Sequence, residues 1–439
     1  MNETYPVFDT VAERILFAER AKALAADPYV DMPSWVRDDP NSAFIGKKIV
    51  LCGSHMEAEM RHAIRRFEVV AIVDDFRCQR QGEMFGIPLI STDAWVSLAK
   101  QDSSVVSIIC ASTVQGYNHF IRRAAQFQLP FVTTLEYLRV LESHGNVVPG
   151  AGQTFVYGLP FFQQTVRSYE QLVERASCFE DEYSRQTYFN LLNYRLTGDP
   201  NTLARCAVVT NRDHFERNTY NTNRTFFEFT DSDVFVDGGA FDGDSLAQFV
   251  RATKGQFKRI YSFEPSTELA QKCRVRVHAL QREYVTDIAS LINVVPKGLW
   301  SSECKLTFNP TLFSAEENLY AGQLPLSGHL VEGGIASHMY SASDEAAANS
   351  SVAVTTIDAA CAESPTFIKL EIEGSELEAL KGASQTIERT RPKMAISIYH
   401  KPEDLLTLTD FVAQTGKGYR MSLLQHNPNV PDAIVLYCY

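Results

Sequence analysis

One short segment constrains this chain more than any other: Val234-Phe235-Val236-Asp237-Gly238-Gly239-Ala240-Phe241-Asp242-Gly243-Asp244-Ser245. An apolar run that ends in paired glycines and leads into a helical pattern predicts a buried strand turning sharply into a helix. Glycine permits the bend and lets the backbone approach a ligand closely. The free N–H groups of the first helical turn then sit at the carboxyl end of a strand, where open α/β sheets bind ligands. In a dinucleotide site such groups receive a pyrophosphate. Here Asp237, Asp242 and Asp244 crowd the turn with negative charge, which favours a cation such as a sulfonium or an ammonium over a phosphate.

The surrounding pattern shows what kind of sheet the segment belongs to. From Asp233 onward, strands are expected at Val234–Asp237, Arg259–Glu264, Asn293–Lys297, Thr366–Ile372, Lys393–Tyr399, Tyr419–Leu424 and Ala433–Tyr437. Helices are expected at Ser245–Thr253, Thr267–Leu280, Ser375–Arg389 and Pro402–Thr415. Residues 300–357 break this rhythm and read as an insertion, with a hairpin partner at Lys305–Asn309, a Gly/Ser/Ala-rich stretch at Leu326–Ser351 and an extended Val352–Ile357. Further upstream, Lys48–Gly53, Val69–Asp75, Val105–Cys110 and Phe131–Thr134 alternate with helical patterns and predict a second, smaller α/β unit.

A chain of 439 residues holds more than one core, since single cores rarely grow beyond about 250–300 residues. The expected organisation is an N-terminal helical segment (1–45), a Rossmann-like α/β domain (46–140), a linker and helical bridge (141–230) and a larger α/β domain (231–439). A net charge of −12 repels nucleic-acid phosphates. No apolar run reaches the roughly 18–20 residues of a membrane span. The acidic, amphipathic N-terminus has no signal-peptide pattern, so a cytoplasmic protein is expected. The nine cysteines form no Cys-x-x-Cys pair or Cys/His cluster, so neither a disulfide framework nor a bound metal is expected.

Three further features fall at strand ends of the larger domain. Glu264, which closes the second strand 27 residues after Asp237, is suited to accept both hydroxyls of a ribose. Along Ile368-Lys369-Leu370-Glu371-Ile372-Glu373, strand alternation places Lys369, Glu371 and Glu373 on one face. Charges converging on a buried sheet edge must be paired or used. An ion pair, with Glu376 capping the next helix, is the structural alternative. His400, in Tyr399-His400-Lys401, is the side chain best suited to general-base work near neutral pH.

Taken in order, VFVDGGAFDGDS, YSFEPS, TTIDAA, FIKLEIEGSELEALKGA and MAISIYHKPEDL resemble the FkbM family of methyltransferases over about Ser232 to Tyr439. The resemblance implies a class I methyltransferase domain, a seven-stranded Rossmann-like sheet, following the smaller Rossmann-like unit. It also implies S-adenosyl-L-methionine as methyl donor and O-methylation of a hydroxyl on a sugar or natural-product acceptor. Carried over by position, Asp237, Gly238, Gly239, Phe241, Gly243, Asp244 and Ser245 form the methionine-side turn, and Glu264 with Pro265 takes the ribose. Gly298 marks the third strand end, where this sequence carries no acid or amide for an adenine. Lys369, Glu371, Glu373 and His400 line the acceptor side as candidate catalytic residues. The smaller domain, with only Gly53 in its turn, reads as a degenerate Rossmann module. A vestigial ligand site, acceptor recognition and a platform for homo-oligomers are all open roles for it. The alternatives are a protein that binds S-adenosyl-L-methionine without turnover, or an NAD-linked sugar-modifying oxidoreductase using the first domain.

Overall fold

A computed structural model describes residues 10–54, 56–142, 158–207, 227–310, 328–331, 350–416, 418–426 and 434–439. Contacts group the chain into two compact units. One draws on Met1–Ala176 and Arg185–Ala207, the other on Ser177–Ser184, Val208–His426 and Ala433–Tyr439. The helical stretch expected as a bridge is thus divided, most of it clustering with the first unit.

In the first unit, strands β1 (Lys48–Cys52), β2 (Glu68–Val73), β3 (Glu83–Met84), β4 (Ile87–Ile90), β5 (Val105–Ile109) and β6 (Phe131–Thr133) form a sheet in the order β3-β4-β2-β1-β5-β6. All neighbours are parallel except the β3–β4 pair. Alternation along β1 sends Ile49 and Leu51 into one buried cluster and Val50 and Cys52 into another, so both faces of the sheet are covered. Helices 92–101 and 114–127 start where Ser91 and Thr113 accept the N–H groups of Ala94 and Gly116, as N-cap hydroxyls do. Thr197-Gly198-Asp199-Pro200 ends one helix and starts the next. Gly198 takes φ +67°, Asp199 accepts the Asn201 N–H at 2.9 Å, and Pro200 opens the new helix.

The features that would serve a nucleotide in this unit are already occupied. Gly53 (φ +107°) presses against the Cys110 carbonyl, which an added Cβ would meet at 2.8 Å. Asp74, at the end of β2, accepts from Ser54 Oγ at 2.5 Å and from the Phe76 and Arg77 N–H groups at 3.0 and 2.8 Å. Burial pushes its carboxyl up, but these bonds and the Arg77 charge hold it below its ordinary value. Asp75 caps the neighbouring helix through the Thr92 N–H and hydroxyl.

The second unit carries strands β7 (Val234–Gly238), β8 (Arg259–Phe263), β9 (Ile292–Val295), β10 (Gly298–Leu299), β11 (Cys304–Pro310), β12 (Gly328–Val331), β13 (Ser350–Thr355), β14 (Phe367–Leu370), β15 (Lys393–Ser397), β16 (Met421–Gln425) and β17 (Ile434–Cys438). Seven of them form one sheet in the order β16-β17-β15-β14-β7-β8-β9, with β17 antiparallel to both its neighbours. The chain runs from β7 outward through β8 and β9, then returns to the other side of β7 as β14. The connections diverge between β7 and β14, and that is where a ligand crevice opens in such sheets. Beneath it, Phe235 stacks on Phe249 at 4.6 Å and on Phe367 at 5.1 Å.

The inserted segment forms a four-stranded sheet, β10-β13-β11-β12, in which β11 pairs antiparallel with β13. Most of the Leu326–Ser351 stretch lies outside the described residues. The single helix expected over Ser375–Arg389 is two, Glu376–Lys381 and Ser384–Thr390. Gly382 lies against the Trp300 carbonyl so closely that no side chain fits, and the helix breaks there.

Asp74→Ala is expected to destabilise the first unit by about 2 kcal/mol, the scale of hydrogen bonds to a charged group, measured by urea unfolding. Because the folded carboxyl titrates below its ordinary value, its contribution is complete above about pH 4 and is lost as pH falls through the folded value. The gap between variant and parent should therefore close in acid.

Candidate active site

At the β7–β14 crevice the chain folds as the local sequence dictates. Gly239 (φ +73°) lies where an added Cβ would overlap the Glu371 carbonyl oxygen, so two strand-end loops touch there only because one residue has no side chain. Gly243 takes φ +90° and opens the helix Asp244–Ala252. Phe241 between them also adopts a left-handed conformation, φ +50°, which is costly for a bulky residue. The Gly239 and Ala240 N–H groups donate to the Phe263 carbonyl at 3.1 and 3.0 Å, tying the turn to β8.

Glu264 is joined to that turn directly. Its Oε2 accepts the Phe241 N–H at 3.0 Å and its Oε1 the Ser266 N–H at 2.8 Å. Each oxygen keeps a further lone pair. The side chain is nearly buried, and burial outweighs these bonds, so its carboxyl is pushed up to about 7. Pro265 follows, half-buried. Gly298, expected near an adenine, is buried in β10 and paired with Val354.

Register places Lys369 of β14 beside Asp237 of β7, and both side chains are buried. Lys369 Nζ lies 3.3 Å from Asp237 Oδ1 and donates to the Gly238 and Gly239 carbonyls at 3.2 and 2.9 Å. Burial opposes the ammonium charge, but Asp237, Glu371 and Asp244 outweigh it and hold Lys369 above its ordinary value. Burial also pushes the Asp237 carboxyl above its ordinary value, and the ammonium offsets only part of that. The ammonium thus gives two hydrogens to the turn's carbonyls and holds the Asp237 carboxylate by charge. Lys369 thus lies under the turn, where the sequence had suggested the acceptor side. Asp237 Oδ2 is buried without a hydrogen-bond partner.

The acidic crowding read from the sequence is partly relieved. Asp242 is ion-paired with Arg276 of the helix Thr267–Gln281, while Asp244 stays exposed and accepts the Ser245 N–H at 2.7 Å. The alternation expected for Lys369, Glu371 and Glu373 stops early, because β14 ends at Leu370. Glu371 turns toward Tyr399, whose hydroxyl donates to it at 3.1 Å, and lies 3.9 Å from Lys369. Glu373 adopts φ +54° and Gly374 φ +92°, which carries Glu373 away to His400.

His400 differs from its expected role in a way geometry explains. Its Nδ1 lies 2.9 Å from Glu376 Oε1 and its Nε2 3.7 Å from Glu373 Oε2. Burial alone would lower its pKa, but Glu376, Glu373 and Asp404 overcome that and raise it to about 10. An imidazolium has no lone pair with which to take a proton, and these carboxylates favour that form over the free base a general base requires. Asp358 caps the helix Ser384–Thr390 through the Gln385 and Thr386 N–H groups. Among the described residues no group of three His, Cys, Asp or Glu side chains could hold a metal ion. No helix among them is long and apolar enough to cross a membrane.

Sequence reasoning passed over Tyr399, Asp404 and Arg276, and took Glu376 only as a helix cap. Tyr399 and Glu376 stood inside the quoted motifs. Arg276 lies 34 residues from Asp242, and no local pattern links them.

Residues 237–421 match the family described as the methyltransferase FkbM domain. The solved methyltransferase FkbM from Methylobacillus flagellatus KT is 28% identical, with a TM-score of 0.74 over 98% of this chain and 100% of that one. An rRNA methylase from Streptococcus thermophilus overlaps 48% of this chain and 86% of its own at 14% identity and a TM-score of 0.27, too loosely to inform either fold or activity. No protein of curated function matches the sequence significantly.

Lys369→Met should leave the Asp237 charge buried without its partner and cost about 3–5 kcal/mol in chemical denaturation. The double variant Asp237→Asn/Lys369→Met should recover most of that loss. A single variant as stable as the parent would remove Lys369 from its part in holding the turn.

Proposed function

Because this chain belongs to the FkbM family of methyltransferases, we propose that it transfers a methyl group from S-adenosyl-L-methionine to a hydroxyl of a small-molecule acceptor, of the sugar or natural-product kind. The observation that carries the donor assignment is the hydrogen bond joining Glu264 to the turn through the Phe241 N–H. It sets an acceptor for a ribose diol next to a glycine cradle within one rigid loop pair. The residues fit such a donor. Gly239 cannot carry a side chain, Asp237 Oδ2 is a buried acceptor without a partner, and Asp244 adds negative charge suited to a cation.

When bound, S-adenosyl-L-methionine supplies an electrophilic methyl on a cationic sulfur. The protein's own contribution is alignment and exclusion of water, with a group positioned to receive the hydroxyl proton. Glu264 would accept from the ribose, and the turn from Asp237 to Ser245 would hold the methionine end. Glu371 and Glu373, the partly exposed carboxylates at the ends of β14, would face the acceptor. They suit a neutral hydroxyl and disfavour an anionic acceptor or a nucleic acid. Gly298 is withdrawn from the proposed donor contacts, given its place in the small sheet. Nine free cysteines accord with a reducing, cytoplasmic location.

Calorimetry with S-adenosyl-L-methionine should give micromolar binding that is lost in Asp237→Ala and Glu264→Ala. Unchanged binding in either variant would remove that residue from the site. The pH dependence follows from Glu264. Its folded value of about 7 means that it is largely protonated at pH 6, whereas a diol donating to it selects the carboxylate. Affinity for the demethylated product, S-adenosylhomocysteine, should rise about tenfold from pH 6 to 8, at most a factor of ten per unit below the folded pKa. Glu264→Gln should flatten that rise.

A further inference from the structure

We propose that His400 is a positioning residue: a cation clamped between Glu376 and Glu373 that fixes the Glu373 carboxylate at the acceptor side of the methyl-transfer site. The word "acceptor" here rests on the methyltransferase reading above; the clamp itself does not.

His400 is closely packed. Its side chain is 4% exposed and lies against the Tyr399 ring at 4.1 Å, so it has little freedom to swing. Nδ1 lies 2.9 Å from Glu376 Oε1 and Nε2 3.7 Å from Glu373 Oε2, contacts of charge rather than formed hydrogen bonds. The two carboxylates differ in kind. Glu376 is buried and anchored, its Oε1 accepting the Ile372 N–H at 2.8 Å. Glu373 is 31% exposed. The cation therefore meets one buried carboxylate and one partly exposed one.

Two other charges face the cluster. Asp404, from the helix Asp404–Thr415, is buried and accepts the Lys401 N–H at 2.7 Å, and burial lifts its carboxyl to about 7. Lys401 is exposed. Neither supplies an alternative partner for Nε2. Glu373 also sits in the left-handed region, followed by Gly374 in the same region. A non-glycine residue is held in that conformation only when its surroundings over-determine it. The His400–Glu376 pair, which joins the loop after β14 to the loop after β15, provides that constraint.

Nitrogen-15 NMR of the full chain labelled at histidine tests this without any ligand. The protein has ten histidines, and His400→Gln identifies the resonance by its disappearance. Both ring nitrogens should carry protons at pH 8. Glu376→Gln should lower the proton affinity of His400 more than 100-fold, and Glu373→Gln should lower it less. A His400 that is neutral at pH 8 in the parent would overturn the proposal, and that measurement needs no variant to fold. The Glu373 side-chain carboxyl carbon-13 resonance should also move as His400 titrates; an unmoved resonance would reduce His400 to a structural cation and equally overturn it. Failure of S-adenosyl-L-methionine to bind in calorimetry would instead sink the methyltransferase reading and leave the NMR result standing.

Discussion

The ammonium of Lys369 lies beneath the turn after β7, and the site is arranged around it. It meets the Asp237 carboxylate and two successive carbonyls of the turn, so one side chain of β14 fixes the backbone path at the end of β7. These are the two strands between which the sheet's connections diverge. A buried ion pair is a weak contributor to net stability but strongly specifies geometry when both partners are retained. Here it joins the ends of β7 and β14 while the Asp237 carboxylate oxygens remain without hydrogen-bond partners. The contact between Gly239 and the Glu371 carbonyl depends on that alignment.

The same logic recurs one strand further out. His400 and Glu376 form a second buried cation–carboxylate pair, which binds the end of β14 to the end of β15. Two buried pairs at adjacent strand ends compensate most of the charge that the sequence concentrates there. Carboxylates left partly or fully exposed at these strand ends include Glu371, Glu373 and Asp244. The charge left at these strand ends depends on which charges were cancelled below the surface.

The fold was legible because its signals are local. Strand-sized apolar runs, a glycine turn and the regular return of helices place the seven strands of the second unit within a few residues of where they lie. Glu264 was equally legible, since its distance from Asp237 reflects one strand–helix–strand repeat. Less legible were contacts whose partners sit on different segments. Arg276 neutralises Asp242 across 34 residues, and Trp300 breaks a helix at Gly382. The face shared by Lys369, Glu371 and Glu373 was inferred from strand alternation, which ceased to apply once the strand ended at Leu370.

The sequence by itself determined the class of sheet, the glycine turn and the presence of a carboxylate at each relevant strand end, because backbone bending and hydrophobic period are properties of neighbouring residues. Only the tertiary structure decided the state of each charge. Lys369 and His400 look alike in sequence to groups that act on a substrate, yet the first spends its hydrogens on the turn and the second lies between two carboxylates. Protonation depends on burial and on partners brought together by folding, and neither is written in the order of residues.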